Sequence, residues 1–199
     1  MSRLPLSKAQ LAKENTNLAM YRRYLPSLDL KRKQLMAERA KTRERIAEID
    51  SIISEQVETI GAEIPMLANR DIDLKGLAQL TSVRLGERNV VGQRLPVVEE
   101  IEVAIAPYGF LIRPHWVDLV AERLKEVLRL RVEARIAHRQ LELLDAAGTK
   151  VTQRVNLFEK VLIPQARNNV RRIQIALGDV ERAAVVTSKI AKRKREATA

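Results

Sequence analysis

The chain has 199 residues, 36 Lys and Arg against 25 Asp and Glu, a net charge of +11 and a pI near 10.2. Aromatic residues are 3% of the total, so a core must come from Leu, Ile, Val and Ala rather than from rings. Apolar residues at 46% exclude full disorder, seven Gly and seven Pro are too few for a turn-rich all-β fold, and the absence of Cys excludes disulfides and thiolate chemistry.

The first helical signal opens at Ser7, where Ser7-Lys8-Ala9-Gln10 has the spacing of a capping box. Apolar residues then recur at intervals of three, four and seven: Leu11, Leu18, Tyr21, Leu25, Leu28, Leu35, Ile46, Ile49, Ile53, Val57, Ile60 and Ile64. This is close to a heptad seam. It weakens between Leu35 and Ile46, where Arg39 and Thr42 hold seam positions. Pro26 lies inside the pattern and predicts a kink or a break. Gly61 and Pro65 mark the far end, so one helix is expected over roughly residues 8–64, about 85 Å at 1.5 Å per residue.

The middle of the chain differs in kind. Leu74, Leu77 and Leu80 suggest a short helix between Met66 and Leu80. Two β-branched runs flank Gly92-Gln93, and a glycine in the first central position suits a type II′ hairpin turn. Ile101, Val103 and Ile105 alternate with Glu100 and Glu102 as in a half-buried strand. Pro107, Gly109 and Pro114 close the segment.

Pro114 is placed as the first residue of a second long helix. Its seam runs Val117, Val120, Leu124, Val127, Ala134, Leu141, Leu144, Val151, Val155, Phe158, Leu162, Ile173, Val180 and Ile190. Gly148 and Pro164 interrupt the period without ending it. Residues 114–190 would span roughly 115 Å as a helix, and its stripe needs a partner. The expected fold is all-α: a long antiparallel two-helix coiled coil built from residues 1–65 and 114–199. A small insertion, residues 66–113, carries the short helix and the β-hairpin. The seven-residue drift predicts a left-handed supercoil.

The residues offer little chemistry. Gly148-Thr149-Lys150 lacks the upstream glycine of a phosphate-binding loop. His115 and His138 are far apart and have no companion ligands. Carboxylates stand at helical spacing among Lys and Arg, as in Glu122–Lys125, which reads as surface support. No catalytic residue, metal site or cofactor is expected. No apolar run is long enough to span a bilayer and the N-terminus has no signal-peptide core, so a cytoplasmic setting is expected.

The basic clusters carry more information. Lys31, Arg32 and Lys33 open a cation-rich stretch, and Arg131, Arg135 and Arg139 stand at i, i+4, i+8. Like charges at that spacing repel within one helix. Two readings stand: a solvated face, or a surface for an acidic partner. A net +11 also attracts nucleic acid non-specifically, although no interleaved aromatic set for base stacking accompanies it. A coiled-coil scaffold is a further alternative.

The run Arg154-Val155-Asn156-Leu157-Phe158-Glu159-Lys160-Val161-Leu162-Ile163-Pro164 resembles the signature of the D subunit of V-type and archaeal A-type ATPases, R-[RV]-V-N-A-L-E-x-[VI]-x-I-P. Leu28-Asp29-Leu30-Lys31-Arg32-Lys33-Gln34-Leu35 is similar to that family's early basic element, and Val91-Gly92 followed by Leu95-Pro96-Val97 to its central hairpin. Phe158 stands where the family often has Leu.

The resemblance covers nearly the whole chain. It implies a non-catalytic rotor shaft, cytoplasmic and membrane-associated only through its complex, passing torque between the catalytic A/B hexamer and the ion-translocating ring. The implied partners are the A and B subunits, the small F protein of the stalk, and the socket protein (C or d) above the ring. It makes Arg154, Asn156, Glu159 and Pro164 motif residues, and Lys31, Arg32, Lys33, Arg131, Arg135 and Arg139 candidate partner contacts.

Overall fold

The computed structural model describes residues 4–68, 74–107 and 114–198. The chain is mostly helical, with one two-stranded antiparallel hairpin in its middle. Helix α1 spans Lys8–Glu63. Ser7 caps it: the Gln10 backbone N–H donates to Ser7 Oγ at 3.2 Å. The reciprocal half of the capping box is not made, because the Gln10 side chain turns forward and donates to Glu14 Oε1 at 3.0 Å. Helix α1 runs through Pro26 without a break, although that proline brings no N–H to the Arg22 carbonyl. A 3-10 turn, Pro65–Ala68, follows it.

The short helix expected around Leu74, Leu77 and Leu80 does not form. Gly76 takes a positive φ of 74°, which breaks the helical path, and Leu80 lies in a strand. Strand β1 is Ala78–Val90 and strand β2 is Gln93–Ile105. Their turn sits one residue earlier than the sequence suggests. Val91 and Gly92 are the central residues, with φ of 53° and 81°, and Gln93 already pairs with Val90. Positive φ at both positions makes the turn type I′ rather than II′, the hand that matches strand twist. Asn89 Oδ1 braces it by accepting the Gly92 N–H at 2.8 Å.

The register shifts between Leu80 and Ser82 and again between Arg84 and Leu85, leaving Thr81 on β1 and Glu99 on β2 without partners. These two irregularities on opposite strands cancel, so the register at both ends of the hairpin agrees. At Gly86 a β-carbon would meet the end of the exposed Glu99 side chain, which would have to swing aside to admit a larger residue.

Helix α2 covers Trp116–Leu157, a π-helical turn covers Phe158–Leu162, and helix α3 covers Ile163–Thr198. The π turn has a local cause. Pro164 has no N–H, and its ring would press on the Lys160 carbonyl in a regular α-helix. One wider turn, with Ile163 N–H donating to Phe158 O, carries the helix past that point.

The chain packs as two units. Residues 33–149 form one. In it Arg123 pairs with Glu63 (3.5 Å), Arg45 with Glu133 (3.3 Å), and Arg39 with Asp145, so the pairs run in opposite order along α1 and α2. Ile64, Leu77, Trp116, Val117, Val120 and Ala121 form a buried cluster beside the base of the hairpin. The hairpin lies back against the helices. Arg88 pairs with Glu38 at 3.1 Å, and Gln140 Nε2 donates to the Pro96 carbonyl at 2.5 Å. Leu95 is completely buried, which two strands alone cannot achieve.

Residues 1–32 and 150–199 form the other unit. Tyr21 meets Phe158 edge to face, and Lys8 lies 3.8 Å from Glu181. Val151, Val155, Ala166 and Ile173 are its buried residues on the C-terminal side. From Asp179 to Glu196 every residue is exposed, because α1 begins only at Lys8, opposite Glu181.

Candidate partner-binding surfaces

Of the seam residues named from the sequence, Leu35, Ile46, Ile49, Val120, Val127, Val155 and Ile173 are buried. Leu18, Leu25, Ile53, Ile60, Leu124, Leu141 and Leu162 are half-buried. Val180 is 66% exposed, level with the first residue of α1, where Lys8 lies 3.8 Å from Glu181. Thr42, where the apolar stripe weakens, is buried all the same. Its hydroxyl donates to the Glu38 carbonyl at 2.8 Å, so no polar group is stranded. Ala137 and Ala166 are also buried, and sequence reading missed both. Their signal is weak, because alanine suits either face of a helix.

The motif residues point mainly outward. Arg154, Glu159 and Pro164 are exposed and Asn156 is half-buried. Lys31 and Arg32 are half-buried, with Arg32 held 2.5 Å from Asp29, while Lys33 is exposed. Arg131, Arg135 and Arg139 are all exposed. Glu142 neutralises Arg139 at 2.7 Å, so the repulsive set is smaller than the spacing suggests. His115 and His138 are exposed as well. Glu122 and Lys125 do pair, at 3.9 Å.

Charge divides sharply between the two units. Residues 1–32 and 150–199 hold 19 Lys and Arg against 6 Asp and Glu, a net +13. Residues 33–149 hold 17 against 19, a net −2. The net positive charge of the protein therefore belongs to one unit, on exposed residues such as Arg22, Arg23, Arg154, Lys160, Arg167 and Arg171. Such a surface attracts anionic partners and repels cationic ones.

The described residues of the unit 33–149 enclose a polar cleft and an apolar groove. A polar cleft of about 620 Å3 separates the hairpin from the helices. Glu38, Arg45, Arg88, Glu99, Arg129 and Glu133 are among its lining residues. Its mixed charges largely cancel, and two of its ion pairs are already closed. An apolar groove of about 520 Å3 lies between the end of α1 and the first half of α2. Among the described residues, no group of three or more His, Asp or Glu could hold a metal ion, and no helix is long and apolar enough to cross a membrane.

Comparison with known proteins places the chain in a family. The family model for the ATP synthase D subunit matches residues 10–193. A V-type ATP synthase D subunit from Borreliella burgdorferi is 36% identical over 192 residues, 96% of this chain and 95% of that protein. Proteins of the same name from Chlamydia pneumoniae and Chlamydia felis are each 31% identical. These alignments cover 96% and 97% of this chain, and 92% and 94% of theirs. Neither rival reading, a free-standing scaffold or a nucleic-acid binder, finds a relative among these. The chain belongs to the family of ATP synthase D subunits.

Proposed function

We propose that the protein is the central stalk of a V-type ATP synthase, a non-catalytic shaft that passes torque between the catalytic subunits and the ion-translocating ring. The observation that carries this reading is the confinement of the net charge to one unit, in a chain of the ATP synthase D-subunit family. A shaft needs stiffness along its length and a surface that turns against its neighbours without locking. Pairing of α1 with α2 and α3 as an antiparallel coiled coil supplies the stiffness. The ion pairs Arg45–Glu133, Arg123–Glu63 and Lys8–Glu181 support that arrangement.

The cations of residues 1–32 and 150–199 then face the A and B subunits. Exposed charges attract over several ångströms and are screened by salt, so they hold a rotating surface without one fixed docking pose. The hairpin unit, near neutral, takes the stationary contacts within the rotor: the small F protein of the stalk and the socket protein above the ring. In this reading the protein is cytoplasmic and reaches the membrane only through those partners.

The experiment is affinity purification of the tagged chain from native membranes in mild detergent. The expected result is stoichiometric recovery of nucleotide-binding subunits, with loss of those subunits at high salt before loss of the rotor subunits. Recovery of nucleic acid in place of nucleotide-binding subunits would overturn the reading.

A further inference from the structure

At one level of the unit of residues 1–32 and 150–199, both helices of the pair lose regular backbone hydrogen bonding. In α1, Pro26 brings no N–H to the Arg22 carbonyl, and Arg22 adjoins Tyr21. On the facing helix the π-helical turn begins at Phe158, whose carbonyl accepts the Ile163 N–H, and Pro164 brings no N–H of its own. Tyr21 and Phe158 touch edge to face, so the two interruptions stand side by side. Prolines inside a helix and π turns are both seats of helix bending.

The packing thins at the same level. Among the described residues, none of α1 before Leu35 is buried, and none between Val155 and Ala166 is buried. Val151 and Val155 are buried on one side of this gap, Ala166 and Ile173 on the other. The half-buried rings of Tyr21 and Phe158 bridge it. Segments with few buried contacts and incomplete backbone hydrogen bonding are where a fold opens first. Had the two interruptions lain at different levels, each would have been splinted by an intact helix beside it.

We propose that this level is a bending joint built into the helix pair. About it the arm of residues 8–20 and 164–181 tilts against the arm of residues 27–32 and 150–157. The two rings act as its bearing, because edge-on and offset arrangements of an aromatic pair are both favourable, so their contact survives a range of tilts. Helices that stay side by side still pass twist across the joint, and a shaft built this way yields sideways without slipping. The bend is a property of the chain alone, whereas its use in rotation rests on the central-stalk reading.

The test uses the full chain, whose lack of cysteine lets introduced cysteines carry spin labels without background. Pulsed dipolar distances are measured for three exposed pairs. Lys13 with Gln153 straddles the joint, Lys13 with Arg172 lies on one arm, and Arg43 with Glu126 joins α1 to α2 in the unit of residues 33–149. The expected distance distribution for the straddling pair is at least twice as wide as for the other two. Combining Pro26→Ala with Pro164→Ala gives both helices back an N–H. That variant should keep its helicity and narrow the straddling distribution to the width of the others. Equal widths for all three pairs in the parent would overturn the proposal. So would an equally wide Lys13–Arg172 distribution, which marks a fraying helix end, or a straddling distribution that the double variant leaves wide. The comparison within the parent decides even where the double variant fails to fold. A parent chain that kept the wide straddling distribution yet recovered no nucleotide-binding subunits would strike the central-stalk reading and leave the joint standing.

Discussion

Tyr21 of α1 and Phe158 of the π-helical turn meet edge to face, with ring centroids 5.5 Å apart and planes at 86°. In a chain with 3% aromatic residues this contact ties the N-terminal helix to the wide turn that Pro164 imposes. Such pairs contribute about 0.5–1.5 kcal/mol beyond area burial. Phe158→Leu is therefore expected to lower stability by about 1 kcal/mol, and Phe158→Ala by more. Tyr21→Phe keeps the ring and should be nearly neutral. Urea denaturation of the three variants checks this order; equal losses for Tyr21→Phe and Phe158→Leu would contradict it.

Ile173 and Val180 lie seven residues apart on α3, one seam interval, yet Ile173 is completely buried and Val180 66% exposed. Truncating a buried aliphatic side chain to alanine costs about 2–5 kcal/mol, whereas an exposed one costs little. Ile173→Ala should lower the melting temperature clearly. Val180→Ala should leave the isolated chain unchanged, and it is the cleaner probe of any partner that covers the end of α3. Matching thermal shifts for the two variants would contradict the end of helix pairing near Glu181.

Val91 holds a φ of 53°, a conformation that β-branched residues rarely accept. Asn-Gly is the preferred pair for a type I′ turn. Val91→Asn should therefore stabilise the hairpin by roughly 0.5–1 kcal/mol, an effect comparable to other turn corrections. Slower amide exchange at Val90 and Gln93 would show it. Faster exchange there would mean that Val91 makes a contact worth more than its strain.

How far the sequence exposes this architecture depends on the kind of signal. Ser7 and Gln10 announce the start of α1, and the three–four spacing through Leu35, Ile46 and Ile49 reports a buried face directly, since burial and period are one phenomenon. Asn89 and Gly92 mark a tight turn, but the placement of Val91 at positive φ contradicts its own propensity and so hides the turn type. Leu74, Leu77 and Leu80 share a helical spacing by coincidence; Gly76 breaks it, and Leu77 is drawn into the cluster around Trp116 instead. The partition of charge is invisible along the chain, because the +13 unit is assembled from its two ends. The groove escapes for the same reason: Gly61 and Arg131 come together only when α1 and α2 lie side by side. The motif around Asn156 identifies the family while its exposed residues, Arg154 and Glu159, reveal no chemistry of their own.

The central claim is that this chain turns as a shaft. The direct measurement is single-molecule observation of the assembled complex, immobilised through its catalytic subunits, with a bead fixed to an exposed position of this protein such as Arg84 in the hairpin. Continuous one-way rotation that begins with ATP, and slows when ATP is limiting, is the predicted result. A bead that stays still while the same complexes hydrolyse ATP would contradict the account.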